Sequence, residues 1–439
     1  MNKLLIYTKQ ITNRLRYTFE LVFNDLLGID FKIITNFQEF ETIDKPKLNY
    51  GHEQIKKVPF IKADVLLFER KLKDFVVSHK LKDEVHYIFL TDEEHSDLVY
   101  DPFAAIFYMV SRYEEYLPFK SDKFGRFQPE HSIACKHQFL ETPVVNLWVQ
   151  QIKNILQAYY PALKFKKNNC KIQPTFDIDI AFSYRNKGLI RNLGGYFNSL
   201  RKFNFKAIGE RTAVLSGVAQ DPYDTYAYIF KQLRKYDHKS IFFYLVGEYG
   251  MVDKNISLEH SNFKNLIKST ADLAHVGLHP SFGSNVDKDI VADEQKSLEE
   301  IIKRDITKSR QHYIKVHFPD TYENLIDLEI KEDYSMGYPS RPGFRAGIAN
   351  PFYFYNLKLE IKTLLKVVPF VMMDVMFKYY QNYTPELALQ KTNEIVETVK
   401  SVNGSCSYIW HNSSLSETDG WEGWRAVFEE QLKLTANEL

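Results

Sequence analysis

The sequence predicts an α/β protein with two domains, a smaller α/β domain over residues 1–165 and a (β/α) barrel, complete or incomplete, over 166–439. A chain of 439 residues is too long for one ordinary hydrophobic core. The short, lysine-rich segment 161–171 marks a boundary. Beyond it, apolar runs alternate with helical stretches over roughly 270 residues, and this alternation favours a parallel sheet with crossover helices.

The leading domain is predicted from short apolar runs and from helical periodicity. Asp101 followed by Pro102 is typical of a helix start, with an acidic cap and proline in the first turn. The apolar runs predict strands over 4–8, 31–35 and 63–68. The periodic segments predict helices over 11–27, 102–117 and 143–160.

The second domain follows from the same two patterns. Apolar runs predict strands over 171–176, 240–246, 274–278, 313–316, 366–372 and 405–409. Helical stretches are predicted over 223–236, 262–273, 289–304, 385–402 and 420–434.

Composition narrows the classes of function. Lys+Arg 57 against Asp+Glu 56 leave a net charge of +1, which does not indicate a large basic field for nucleic acid or an anionic membrane. The three cysteines are far apart and include no CxxC pair, so no disulfide framework is expected. Without a signal-type apolar run or a stretch long enough to span a bilayer, the predicted location is the cytoplasm.

Two carboxylates, Asp177 and Asp179, close the apolar run that begins at Lys171. Active sites of (β/α) barrels are built at the carboxyl ends of strands, and residues two apart on an extended chain share one face. Both carboxylates are therefore expected to face one site. The competing interpretation is an acidic loop that caps the next helix.

Histidines mark two further strand ends. His275 and His279 are four residues apart, which puts them on one side of either a helix or a strand. His411 follows another apolar run, although a histidine beside tryptophan is also typical of a packed core. Arg345, in a loop with Pro342 and two glycines, could orient a carboxylate, with a surface arginine as the alternative. A carboxylate with two imidazoles is a ligand set for a divalent metal, which indicates metal-assisted hydrolysis.

The order of these motifs resembles that of the polysaccharide deacetylases, the NodB-homology or family-4 carbohydrate esterases, over about residues 170–415. The matching segments are Thr175-Phe176-Asp177, His275-Val276-Gly277-Leu278-His279, the stretch from Arg341 to Gly347, and Ile409-Trp410-His411. The segments from Asp101 to Ala105 and from Glu114 to Leu117 are also similar to a leading domain of unknown function in bacterial deacetylase-like proteins.

The resemblance implies a distorted barrel of seven or eight strands and assigns roles to single residues. Asp177 would be the general base, His411 the general acid, and Arg345, rather than the alternative Arg341, would hold Asp177. The resemblance makes Asp179, His275 and His279 the ligands of a divalent metal, with Zn²⁺ as the first choice and Co²⁺, Mn²⁺ or Ni²⁺ as others. The substrate would be a carbohydrate with an N-acetyl or other acyl group.

The sequence departs from the family's pattern at three places. Ile178 separates the two aspartates, which are adjacent in the family, and Val276 replaces a serine or threonine. The family's fourth motif is absent, and Asp374 is either its substitute or a helix cap. Two alternatives therefore stand beside the metal-dependent deacetylase: a metal-free relative that acts on another C–N bond, and a non-catalytic carbohydrate-binding protein.

Overall fold

A computed structural model describes residues 3–91 and 96–436. The chain forms two compact units, and neither is continuous in sequence. Unit 1 comprises Met1–Cys170, Gly343–Pro369 and Thr398–Ser405. Unit 2 comprises Lys171–Pro342, Phe370–Glu397 and Cys406–Leu439. The first division falls five residues beyond the predicted one, and two later segments that the sequence places in the second domain belong to unit 1.

The regular elements are numbered in chain order. The strands are β1 Lys3–Tyr7, β2 Asp30–Ile34, β3 Lys47–Gly51, β4 Phe60–Lys62, β5 His79–Lys82, β6 Val85–Ile88, β7 Lys171–Ile178, β8 Ile241–Tyr244, β9 His275–Leu278, β10 Lys308–Ser309, β11 Glu332–Met336, β12 Phe352–Asn356, β13 Ile361–Met373 and β14 Ser405–His411. The α-helices are α1 Asn13–Phe19, α2 Phe37–Thr42, α3 Pro102–Val110, α4 Ile133–Lys136, α5 Val144–Tyr159, α6 Gly188–Arg201, α7 Phe205–Leu215, α8 Tyr226–Lys235, α9 Ser261–Leu273, α10 Lys288–Ile302, α11 Asp320–Asp327, α12 Pro385–Ser401 and α13 Trp424–Thr435.

Unit 1 contains a parallel sheet in the order β2-β1-β3-β4. Its helix α3 is buried along its whole length, as an apolar sequence without a polar stripe requires. The predicted cap is confirmed, because one carboxylate oxygen of Asp101 accepts hydrogen bonds from the backbone amides of Phe103 and Ala104. The other oxygen accepts from the Tyr50 hydroxyl, so Asp101 ties the helix start to β3.

Unit 2 is built on a closed ring of seven strands, which confirms the predicted (β/α) barrel. The ring order is β11-β10-β9-β8-β7-β14-β13, and a pairing of β11 with β13 closes it. The strands from β7 to β9 pair in parallel, as do β9 to β11 and the pair β13 and β14. The carboxyl ends of these strands therefore meet at one end of the barrel.

Two predicted strands are wrong. Residues 63–68 contain a 3₁₀ turn, because the Asp64 carboxylate accepts a hydrogen bond from the Leu66 amide and starts a helical turn. Residues 313–316 also lie in and after a 3₁₀ turn. The ring is completed instead by β10, which has only two residues, and by β11, in which buried Asp333 and Ser335 interrupt the apolar pattern.

Among the residues that the structure describes, no helix combines the length and the apolar character needed to cross a bilayer.

Candidate metal centre and its acid-base residues

Polar side chains of unit 2 gather at the carboxyl end of the barrel strands. Each lies in the last residues of a ring strand or within four residues after it, where (β/α) barrels place their active sites. The side chains are Asp177, Asp179, His279, Arg310, His312, Asp374 and His411.

Asp179 lies at the centre of three imidazoles. Its Oδ1 atom is 3.2 Å from His279 Nε2. Its Oδ2 atom is 3.6 Å from His312 Nε2 and 3.7 Å from His411 Nε2. Ile178 ends β7 and does not prevent this convergence, because Asp177 Oδ2 and Asp179 Oδ1 lie 3.9 and 3.2 Å from the same atom, His279 Nε2.

Each of the three imidazoles is fixed through its Nδ1 atom, which leaves Nε2 to face Asp179. His279 Nδ1 is 2.5 Å from the Arg310 carbonyl oxygen. Since a carbonyl oxygen only accepts, Nδ1 carries a proton, and Nε2 is the nitrogen that faces Asp179. His312 Nδ1 is 2.7 Å from Asp253 Oδ1. His411 Nδ1 is 2.8 Å from Asp374 Oδ1, so a carboxylate orients this ring as Asp253 orients that of His312.

The donor set fits a divalent cation. Asp179, His279 and His312 each offer one ligand atom, and these atoms lie within 4.8 Å of one another. Asp179 Oδ1 is buried and has no hydrogen-bond partner among the described residues, although His279 Nε2 lies 3.2 Å away. A carboxylate oxygen without a hydrogen-bond partner, facing imidazole nitrogens, fits a cation bound by both, and one carboxylate with two imidazoles suits Zn²⁺ and its neighbours.

Without an ion, the charges of this cluster are strongly coupled. Burial disfavours imidazolium, but Asp179 and Asp253 outweigh it and raise the pKa of His312 to about 9. Burial likewise opposes the charge on His411, whereas Asp374 and then Asp179 raise its pKa to about 10. Burial acts to raise the pKa of Asp179, yet His312, His279 and His411 hold it well below its ordinary value.

A second carboxylate, Asp177, is held by a buried arginine. Arg310 donates from Nη1 to Asp177 Oδ1 at 2.7 Å and from Nε to the Tyr334 carbonyl at 3.0 Å. The guanidinium stacks over the Phe243 ring at 4.5 Å. Gly277 makes room for that ring, since a Cβ there would lie 2.6 Å from it. Asp177 therefore has one oxygen fixed by Arg310, and its Oδ2 is 3.9 Å from His279 Nε2.

The structure does not bring His275 to the candidate metal centre, which corrects the predicted ligand set. His275 starts β9 and His279 follows its end, so the two share a face but are separated along the strand. At roughly 3.3 Å per residue, four residues span about 13 Å, far beyond the reach of one ion. His275 is exposed at the amino end of the strand, where partial burial and Lys308 lower its pKa. His312 lies in the cluster at the position that the sequence prediction gave to His275.

Arg345 is also placed differently from the prediction. It lies in unit 1, where its Nε and Nη2 atoms donate to the Glu115 carboxylate at 2.9 and 2.5 Å. Glu115 also accepts from Arg112, and all three side chains are buried. Burial acts to raise the pKa of Glu115, but Arg345 and Arg112 lower it. Arg345 thus stabilises unit 1, and Arg310 is the arginine that holds Asp177.

Sequence reasoning missed Arg310, His312 and Asp253. The first two follow β10, whose two residues are too few for a visible apolar run. Their spacing carried a signal nonetheless, because Arg310 and His312 are two apart, as are Asp177 and Asp179. Asp253 lies in an irregular loop and had no signal of this kind.

Comparisons with known proteins give a family model for the leading part of the chain. A model described as a family of unknown function, DUF7033, matches residues 4–161. No curated protein matches the chain.

Solved structures similar to this chain match about three fifths of it at low identity. A putative polysaccharide deacetylase from Mycobacterium smegmatis has 14% identity and a TM-score of 0.42, over 62% of this chain and 86% of its own. Puue allantoinase has 9% identity and a TM-score of 0.38, over 61% and 84%. A CE4 family pseudoenzyme from Bacillus anthracis has 11% identity and a TM-score of 0.32, over 61% and 63%.

Proposed function

We propose that this protein is a metal-dependent hydrolase that removes an N-acetyl or related acyl group from an amino sugar. One observation carries the proposal: three imidazoles, each fixed through Nδ1, turn Nε2 toward one carboxylate while a second carboxylate lies beside them. The function needs ligands and acid-base groups at one place, and this cluster provides both.

Asp179, His279 and His312 would hold the ion. When bound, a divalent ion polarises a carbonyl oxygen and lowers the pKa of water. With only three protein ligands, the other coordination positions of the ion would be open to water and substrate.

Asp177 is the proposed general base. Arg310 occupies its Oδ1 atom, so Oδ2 is the oxygen able to accept a proton from an attacking water. The bonds of Arg310 to the Tyr334 carbonyl and Asp177 fix the direction in which that oxygen points. A base with a fixed orientation satisfies the geometric requirement of proton transfer.

His411 is the proposed general acid. Asp374 accepts from both its backbone amide, at 2.7 Å, and its Nδ1, so the ring cannot turn Nε2 away from the site. Asp374 favours the protonated ring, and Nε2 can then deliver a proton to a departing amine. Asp374 is thus the partner of His411, and its Oδ1 atom also accepts from the Val375 amide.

A metal-free hydrolase of another C–N bond is the second candidate. Asp177 and His411 lie outside the ligand group, so an acid-base pair remains when no ion is bound. Removing the ion with a chelator distinguishes the two candidates, because only a metal-free hydrolase would keep its activity.

The test is acetate release from N-acetylated amino sugars, both free oligosaccharides and nucleotide-linked forms, by protein loaded with Zn²⁺ or Co²⁺. The proposal expects turnover that disappears after chelation and returns when the ion is added back. Turnover that survives complete chelation would support the metal-free candidate. Sugar binding without turnover in any metal form would support a carbohydrate-binding protein.

Metal loading is expected to release about one proton per ion at neutral pH. His312 has a pKa of about 9 without metal, so it must lose its proton before Nε2 can bind an ion. Apparent affinity should therefore rise about tenfold per pH unit up to that pKa. Calorimetry at one pH, in buffers with different ionisation enthalpies, measures the release. The variant Asp253→Asn lacks a carboxylate that raises the pKa of His312, so it should release fewer protons when the ion binds. A binding heat that does not depend on the buffer would contradict the expected proton release.

A further inference from the structure

Helix α6 buries polar side chains and exposes apolar ones, which is the reverse of an ordinary surface helix. Its buried side chains are the polar Asn192 and Ser199. Its large apolar residues are 55–88% exposed: Leu189, Ile190, Leu193, Phe197 and Leu200. Helices of globular proteins normally bury their apolar stripe, so this exposed face is built for contact with something outside the chain.

The turn between α6 and α7 extends the apolar face. Phe203 and Phe205 are 78% and 65% exposed. The backbone amide of Phe203 donates to the Leu200 carbonyl, and that of Asn204 donates to the Ser199 carbonyl. These bonds close the end of α6 in a way that usually places glycine at the position of Phe203. Phe203 takes that position with φ +54°, a strained conformation for a bulky residue. An aromatic ring is thus held outward where glycine would be easier to accommodate.

The same segment carries a concentrated positive charge. Residues 185–220 contain seven Lys or Arg and one acidic residue, in a chain whose net charge is +1. Arg201, Lys202 and Lys206 surround the exposed phenylalanines and are themselves exposed. The overall charge predicts no basic field, because acidic residues elsewhere in the sequence cancel this local excess.

We propose that the hairpin α6–α7 docks onto the surface of an anionic phospholipid bilayer. Apolar and aromatic side chains beside lysine and arginine are the composition of helices that lie in a membrane interface without spanning it. A second copy of the chain is a poorer partner, since a symmetric contact would bring the two positive surfaces together. An acidic protein partner would present the same charge sign as the bilayer and becomes an outcome of the test.

The hairpin is joined to the metal centre through one loop. Arg191 of α6 donates to the carbonyls of Lys254 and Asn255, at 3.0 and 2.9 Å. The adjacent Asp253 holds His312 through Nδ1. Docking would therefore bring the bilayer close to the loop that carries Asp253, since Arg191 of α6 binds the next two residues of that loop. This step rests on the proposed function: a hydrolase site held close to the bilayer implies that the substrate is an amino sugar carried on a lipid.

The experiment is co-sedimentation of the full chain with vesicles of phosphatidylglycerol and phosphatidylcholine in equal amounts. Pure phosphatidylcholine vesicles should bind much less. Replacing Arg201, Lys202 and Lys206 together by glutamine should lower the partition coefficient about a hundredfold, since each basic residue near the surface contributes about fivefold. Phe203→Ser with Phe205→Ser should also lower it, whereas Leu359→Ser with Leu364→Ser, at exposed positions of unit 1, should not.

Metal content and circular dichroism verify that each variant is folded. Equal, weak sedimentation of the parent with both vesicle types would overturn the proposal. Self-association or capture of an acidic protein that the hairpin variants abolish, without vesicle binding, would overturn it as well. Vesicle binding needs no substrate, so a membrane-bound protein without hydrolase activity would refute the proposed function and leave the docking surface intact.

Discussion

His312→Ala is expected to lose the bound divalent ion almost completely. Nε2 of His312 is one of three ligand atoms that converge within 4.8 Å, and Asp253 fixes the ring that carries it. Losing only an outer partner of a metal ligand lowers affinity about 10–100-fold, so loss of the ligand itself should lower it more. Metal analysis after equilibrium dialysis measures the change, and cobalt loading adds an absorption spectrum that reports the ligand set.

His275→Ala is the matched control for that experiment. It removes an imidazole from the same barrel, but His275 starts β9 and stands outside the ligand group. Its metal content should equal that of the parent. If His275→Ala loses the ion while His312→Ala keeps it, the centre described above is misassigned.

Much of the barrel could be predicted because its longer strands carry continuous apolar runs. Asp177 is the next-to-last residue of β7 and His411 the last residue of β14, and the rule that active sites lie at the carboxyl ends of barrel strands brings these residues to one place. Knowledge of strand direction alone therefore predicts that Asp177, Asp179, His279 and His411 meet.

The same reasoning failed for His275 because two residues can share one face of a strand and still lie far apart along it. A spacing of four residues brings two side chains together on a helix, with a rise of about 1.5 Å per residue, but separates them on a strand. The sequence favoured a strand at this point, and the physical consequence is that only one of the two histidines reaches the site.

Arg345 illustrates a different limit. Its carboxylate partner, Glu115, is 230 residues away in sequence, and the segment Gly343–Pro369 belongs to unit 1. Periodicity and capping are local signals, so they cannot show which of two units a segment joins. Long-range pairing of buried charges decides it here, since an unpaired buried arginine would cost about 3–5 kcal/mol.

Asp177→Asn is expected to lower kcat by about 10²–10⁴-fold, the usual contribution of a general base, with little change in KM. The amide keeps the shape of the side chain and can still accept a hydrogen bond from Arg310, but it cannot take a proton from water. Asp177 is outside the ligand group, so the ion should remain bound. Acetate release at saturating substrate, together with metal content, measures both effects.

Asp333→Asn controls for the loss of a buried carboxylate in the same barrel. Asp333 accepts from the Tyr322 hydroxyl and the Ser335 amide in β11, and its removal should affect stability more than kcat. Loss of the ion in Asp177→Asn would make Asp177 part of the ligand set. Unchanged turnover with the ion present would exclude Asp177 as the base and leave the water's proton to another acceptor. Because ligand and base sit two residues apart on one strand end, only separate readouts of metal and turnover can tell their roles apart.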